Sequence, residues 1–256
     1  MNAPLDDIRA SLRFYTRLTI GAAPEGCAMP DFSRACWAAP VAGALIGVIG
    51  GAVLSLSATL MAPPMIAATT AVCALAFITG ALHEDGLADV ADGFGGGRNR
   101  EQKLAIMRDS RLGSYGALAL CLSTLLRVSA LATLLQPGAL HAVAALIGAS
   151  ALSRALGLLP LLMLPAARSD GAGFSAARPS SSAMRMAFLI GVVFALAPAL
   201  AEASLVHAVM AVGAAFAAAA VVISLSRRQI GGYTGDVLGA AQQVTEIAFL
   251  VVLSAG

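Results

Sequence analysis

Seven apolar stretches limit this chain more than any other feature. They fall at about 36–60, 65–82, 114–135, 141–164, 185–203, 205–226 and 237–254. Several approach the ~20 apolar residues that a helix needs to cross a hydrocarbon core. In lipid, every peptide group must find its hydrogen bond within the protein, which favours helices. The fold expected is therefore all-α: a polytopic helical membrane bundle of about seven transmembrane helices. An N-terminal interfacial helix and a cytoplasmic helical motif loop complete it. Of the 256 residues, 59% are apolar and only 12% are charged. Soluble domains carry roughly twice that charge. No soluble-looking block approaches domain size, so residues 1–256 are expected to form one integral membrane domain. The net charge of +2 is too small to suggest nucleic acid as a partner; the lipid bilayer is the partner implied.

The positions of the basic residues predict sidedness. With the N-terminus in the cytoplasm, fourteen of the sixteen Lys and Arg residues fall on the inner side, and only Arg127 and Arg154 lie within spans. The outer connections, near Pro63-Pro64, Gln136-Pro137 and Glu202, carry no basic residue. This asymmetry places the basic connections on the cytoplasmic side. The polar segments at about 83–113, 165–184 and 227–236 all fall on the same side, so a site fed from the cytoplasm is expected.

The stretch from Leu82 to Gly116 is a charged island holding six of the fourteen acidic residues. Asp85, Asp89 and Asp92 stand at i, i+4 and i+7, which places three carboxylates on one helix face. Like charges so stacked repel. A divalent cation would reward the arrangement, and Mg²⁺ suits carboxylates and substrate phosphates. The alternative is a solvated face between two spans. If the helix runs unbroken from Met65 to Asp92, it is about 42 Å long, and the carboxylates stand just past the headgroups. A leftover carboxylate could act as a general base.

The turn after Asp92 contains Gly95 and Gly96, whose amides could approach an anion, or which simply give the chain freedom. Asn99 and Gln102 are spaced like a capping box opening a helix of about 100–111. Asp109 would complete the metal site or pair with Arg108 or Arg111. Those two arginines could clamp a diphosphate, or form a basic membrane-surface face. Arg127, Arg154 and Glu246 lie within apolar spans, where a bare charge costs roughly 2.5–3.5 kcal/mol. They are expected to pair or to face a wet cavity. Gln242, Gln243 and Glu246 form a polar patch on the last helix. Asp236 either caps that helix or belongs to the site, and His83 is open to both kinds of reading.

Leu5, Ile8 and Leu12, with Phe14 or Tyr15, recur at helical spacing opposite Arg9, Arg13 and Arg17. That pattern describes a helix lying on an anionic leaflet or one packed on the protein itself. Nothing at the N-terminus resembles a signal peptide. Cys27, Cys36, Cys73 and Cys121 form no metal-spaced set and are expected to be small core hydrophobes.

The segments LHEDGLADVADGFGGG, IMRDSRLGSYG and GGYTGDVLGAAQQVTE, with FYTRL near the start, resemble the cobalamin synthase family. Ser153-Arg154 followed by Pro160 resembles the family's middle segment, so the similarity covers nearly the whole chain. Glu84 stands where many members carry an apolar residue and is left out of the ligand set. The resemblance implies transfer of an adenosylcobinamide-phosphate group from adenosylcobinamide-GDP to α-ribazole or its 5′-phosphate, with release of GMP. It implies Mg²⁺ as cofactor, with Asp85, Asp89 and Asp92 as its ligands. Those three with Asp109 are the catalytic set it implies. Arg108, Arg111, Gly95, Gly96, Arg154, Asp236 and Glu246 are expected to bind substrate. A homo-oligomer, or contact with other cobalamin-assembly enzymes, fits such a role. Asp85-Gly86-Leu87-Ala88-Asp89 also loosely resembles CDP-alcohol phosphotransferases, though the Ala-Arg that follows Asp-Gly there is missing. A cation transporter is the alternative of another class, but it would place its acids at the bilayer midplane.

Overall fold

The computed structural model describes residues 3–20, 30–171, 176–200 and 204–256. Cys27 and the turn expected at Glu202 lie outside the described residues. The elements are α1 (Ala3–Tyr15), α2 (Phe32–Ala35), a 3₁₀ turn, α3 (Ala39–Thr59), α4 (Pro64–Thr79), α5 (Leu82–Gly96) and α6 (Arg100–Ile106). Then come α7 (Ser114–Leu134), α8 (Ala139–Gly157), α9 (Leu159–Met163), α10 (Ser181–Ala195), α11 (Ala197–Leu200), α12 (Leu205–Ile230) and α13 (Gly235–Leu253). Among the described residues the only β-pairing is one parallel bridge, Ala166 with Tyr233. It ties the chain after α9 to the turn before α13.

All seven apolar stretches are helical. Five spans are long and apolar enough to cross a membrane unaided: Phe32–Thr59, Ser114–Leu134, Ala139–Met163, Leu205–Ile230 and Gly235–Leu253. The other two are the shorter α4 and α10. The breaks before Pro160 and Pro198 fall where proline removes a backbone donor.

α8 is the central post, buried almost continuously from Ala142 to Leu158. Lipid tails are as apolar as leucine, so helices here gain little by hiding apolar surface and associate through close packing of small residues. A Cβ on Gly47 of α3 would stand 2.6 Å from the Ile147 Cα of α8. Across the other face, a Cβ on Gly148 would stand 2.8 Å from the Phe194 carbonyl of α10. Cys36 is buried, but Cys73 and Cys121 are exposed on the outside of the bundle rather than in its core.

The expected unbroken helix from Met65 to Asp92 does not form. α4 stops at Gly80 (φ 66°), Ala81 follows at φ 55°, and α5 leaves at 91° to α4. Two successive left-handed residues cannot continue a right-handed helix. The corner is held from outside by Arg17, whose N–H donates to the Ile78 carbonyl at 2.7 Å. α5 therefore lies across α13 and α7 instead of projecting past the headgroups. Where it crosses α13, a Cβ on Gly86 would stand 2.8 Å from the Asp236 carbonyl and 3.2 Å from the Gly239 Cα. Glycine at both positions lets the two backbones meet.

α1 packs on the protein, the second of its two expected placements. Asp7, on its inner face, accepts from Trp37 Nε1 at 3.0 Å and pairs with Arg34 at 2.7 Å. α6 is shorter than expected, ending at Ile106. Asn99 caps it through Gln102 N–H (2.9 Å), while the Gln102 side chain accepts from Arg98 N–H (3.0 Å).

Candidate active site

The three aspartates of α5 have three different surroundings: Asp85 is exposed, Asp89 half-buried and Asp92 buried. The Asp92 carboxylate accepts from Gly113 N–H and Gly116 N–H, each at 2.8 Å. It thus caps the start of α7, where the residue at the cap, Gly113, has no side chain of its own. Orphan amides and the helix dipole both favour a carboxylate there. The expected three-aspartate metal set is therefore not assembled, because Asp92 turns away into α7. Among the described residues, no three His, Cys, Asp or Glu side chains converge as a ready-made metal cage.

Asp89 instead lies within electrostatic reach of Asp236 of α13 as well as of its neighbours Asp85 and Asp92. Burial, then the charges of Asp236, Asp85 and Asp92, push the Asp89 carboxyl up to about 7, while Arg168 pulls it the other way. Asp236 is held by Arg168 at 2.6 Å and by the Thr234 hydroxyl at 3.0 Å. The cap of α13 is Thr234, whose Oγ1 accepts from Val237 N–H, so Asp236 is released from that duty and faces the site. Mg²⁺ commonly uses one or two carboxylates, its other positions going to waters and substrate phosphates. An Asp89 carboxyl crowded enough by other carboxylates to retain a proton near neutrality marks a place where such an ion would offset negative charge.

Asp85 and Asp236 line a cleft of about 180 Å³. His83, Gly86, Gly239 and Arg154 share its wall, and Phe14, Tyr15, Phe32, Leu158 and Leu238 make it apolar at depth. Tyr15 stacks on His83 with ring centroids 5.6 Å apart.

Behind that wall, Glu84, Arg127, Ser150, Arg154, Gln243 and Glu246 close around a void of only about 10 Å³. Arg127 bridges Glu84 (3.0 Å) and Glu246 (3.4 Å), and Arg154 reaches Glu246 at 3.8 Å. Glu246 also accepts from Gln242 at 2.8 Å, and Arg154 donates to the Ser150 carbonyl at 2.9 Å. The intramembrane charges thus pair, as the cost of a bare charge in lipid requires. Glu246 sits behind the cleft rather than in it. Arg154 borders both spaces.

The other expected binding residues are dispersed. Arg108 pairs with Asp170. Arg111 turns back on Asp109, with its Nε 3.0 Å from each carboxylate oxygen. The two arginines do not form a joint clamp, and Asp109 takes the pairing option rather than joining the acidic group. That contact holds the Asp109 carboxyl down at about 2. Gly95 and Gly96 belong to the last turn of α5 rather than to an anion-binding loop. A Cβ on Gly95 would stand 2.7 Å from the Tyr115 ring, so that glycine makes room for α7. Arg108, with Arg100 and Arg168, lines a second, basic groove. Arg100 is committed to the backbone, donating to the Ile230 (2.9 Å) and Ala167 (2.6 Å) carbonyls. The Arg168–Asp236 pair joins this groove to the cleft.

Arg168, Phe14, Tyr15 and Arg127 were not marked as site residues by the sequence. Arg168 stood in a recognised polar segment, and its partner 68 residues away was the missing signal.

A family model described as cobalamin-5-phosphate synthase matches residues 7–254. The chain belongs to the cobalamin-5-phosphate synthase family. Similar proteins named adenosylcobinamide-GDP ribazoletransferase agree with this over nearly their full length. That of Azorhizobium caulinodans is 48% identical over 96% of this chain and 94% of its own. That of Bradyrhizobium diazoefficiens is 43% identical over 97% and 93%. That of Xanthobacter autotrophicus is 48% identical over 96% and 94%. No solved structure matches the chain. Membership of the cobalamin-5-phosphate synthase family selects nucleotide-loop assembly over the CDP-alcohol and transporter alternatives.

Proposed function

We propose that this protein is a Mg²⁺-dependent adenosylcobinamide-GDP ribazoletransferase of the inner membrane, with its cleft open to the cytoplasm. The observation that carries this reading is the full-length family match on a chain whose Asp85 and Asp236 border an apolar cleft. Sidedness is supported by the basic residues that gather at one end of the helices.

In the reaction, a ribose hydroxyl of α-ribazole, or of its 5′-phosphate, attacks the phosphorus bonded to the cobinamide side chain. A new P–O bond forms, the P–O bond to GMP breaks, and adenosylcobalamin or its 5′-phosphate results. Asp85 and Asp236 border the cleft and would hold Mg²⁺, which when bound offsets charge on the transferring phosphate. Asp89, beside them, takes the proton of the attacking hydroxyl, because its carboxyl is matched to neutral pH. Arg168 changes partner from Asp236 to phosphate oxygen as substrate and cation arrive, and Arg108 lies along the same groove toward the leaving GMP. Asp92 acts through α7, keeping the end of α5 in place. The test is GMP release from adenosylcobinamide-GDP by the purified protein. It should require both added α-ribazole and Mg²⁺; release independent of either would overturn the reading.

A further inference from the structure

The inner part of the cleft is aromatic, and phosphoryl transfer at its acidic lip does not need that. Phe14 packs edge-on against Tyr15 (4.9 Å between centroids) and against Phe32 (5.4 Å). Tyr15 continues into the His83 ring at an interplanar angle of 26°. The guanidinium of Arg154 lies 5.9 Å from the centre of the Tyr15 ring. Arg154 is 3% exposed, and its Nε is buried without a hydrogen-bond partner. The slot is thus bordered by aromatic rings and by the Arg154 guanidinium. Its walls come from the end of α1 and from α2, segments otherwise without a task in the reaction.

We propose that this slot binds the aromatic base of the nucleoside acceptor, with Arg154 donating to the base's ring nitrogen. The inference rests on the acceptor assigned above. The dimethylbenzimidazole of α-ribazole has two apolar faces, no N–H group and one acceptor nitrogen, which complements the slot. A guanine base would bring N–H donors that the Phe14 and Phe32 rings cannot accept, and the acceptors among the lining side chains, Asp85, Asp236 and Gln242, include the two carboxylates assigned to Mg²⁺. A base stacked in the slot places its ribose toward Asp85 and Asp236, where the hydroxyl must lose its proton. The FYTRL segment is then a specificity element, holding Phe14 and Tyr15 against the cleft while Arg17 secures the corner after α4.

The test is equilibrium binding of α-ribazole alone to the full-length protein in nanodiscs, without the cobinamide substrate. Free dimethylbenzimidazole should compete with it, and guanosine should not. Phe14→Ala, which opens the slot, and Leu238→Trp, which fills it, should each weaken α-ribazole binding at least tenfold. Both should leave adenosylcobinamide-GDP affinity within about twofold, and in turnover should raise KM for α-ribazole more than they lower kcat. Displacement of α-ribazole by guanosine, or unchanged α-ribazole affinity in both folded variants, would overturn the proposal. The competition arm uses unaltered protein, so it decides even if a variant fails to fold. Failure of the reaction itself would show differently, as absence of α-ribazole-dependent GMP release from the unaltered protein.

Discussion

Asp85 and Asp92 stand two turns apart on one helix and answer to different partners. Asp92 makes two charge-assisted bonds to the amides that open α7. Bonds to charged groups are worth about 1.5–3 kcal/mol each, so Asp92→Ala should lower the midpoint of thermal unfolding in detergent by several degrees. Asp85 is exposed and makes no such contact, so Asp85→Asn should unfold within a degree or two of the unaltered protein while losing activity. Equal melting of the two variants would show that α7 does not depend on Asp92. Asp89 supplies the pH dependence. Its folded carboxyl sits at about 7, above the ordinary range, so without metal it favours folding at low pH. That contribution is complete below about pH 4 and is lost as pH rises toward 7 and beyond. Catalysis has the opposite sign, because a base must be unprotonated. kcat/KM should fall about tenfold per unit on the acid side of a midpoint at or below about 7, since a bound cation lowers the midpoint. A profile flat from pH 5 to 8 would remove Asp89 as the base. The spacing of these acids was legible in the sequence, but their division of labour was not. It depends on Gly113 and Gly116, which are 21 and 24 residues away.

α5 shows how an element can be recognised and still misplaced. Its composition and acidic face were readable, but its direction was not. The corner lies within an apolar run, where Gly80 ends α4 in the left-handed conformation that glycine favours and Arg17 bonds the Ile78 carbonyl beside it. The consequence is that α5 rests against α13, and its position depends on the glycine contact there. Gly86→Leu should push the two helices apart and abolish turnover with only partial loss of folded protein; normal turnover would show the crossing to be loose. On its other face α5 is tied by Glu84 to Arg127, which also holds Glu246 of α13. The need for Arg127, Arg154 and Glu246 to pair was readable from hydropathy alone, but Glu84 as a partner of Arg127 was not, because it depends on the corner that brings α5 back over the bundle. Breaking a buried pair costs about 3–5 kcal/mol. Glu246→Gln should therefore reduce folded protein in the membrane, read as the monodisperse fraction after extraction. Normal yield and melting would mean that Arg127 and Arg154 do not depend on the Glu246 charge for a partner.

At the scale of the molecule, small-residue contacts set α8 against α3 and α10, and the polar segments gather at one end of the bundle. Single cysteines replacing Arg98, Ser180 and Gly256, in a background without native cysteine, should report positions 98 and 180 from the cytoplasm and 256 from outside. Periplasmic labelling at 98 would invert the orientation. The central claim is that Asp85 and Asp236 hold the metal while Asp89 takes the proton. It is tested most directly by titrating Mg²⁺ against α-ribazole-dependent GMP release in Asp85→Asn, Asp236→Asn and Asp89→Asn. The first two should need at least tenfold more Mg²⁺ for half-maximal rate, and the third should lose rate by orders of magnitude at unchanged Mg²⁺ requirement. Near-normal GMP release from all three would contradict the account and return these carboxylates to a solvated surface.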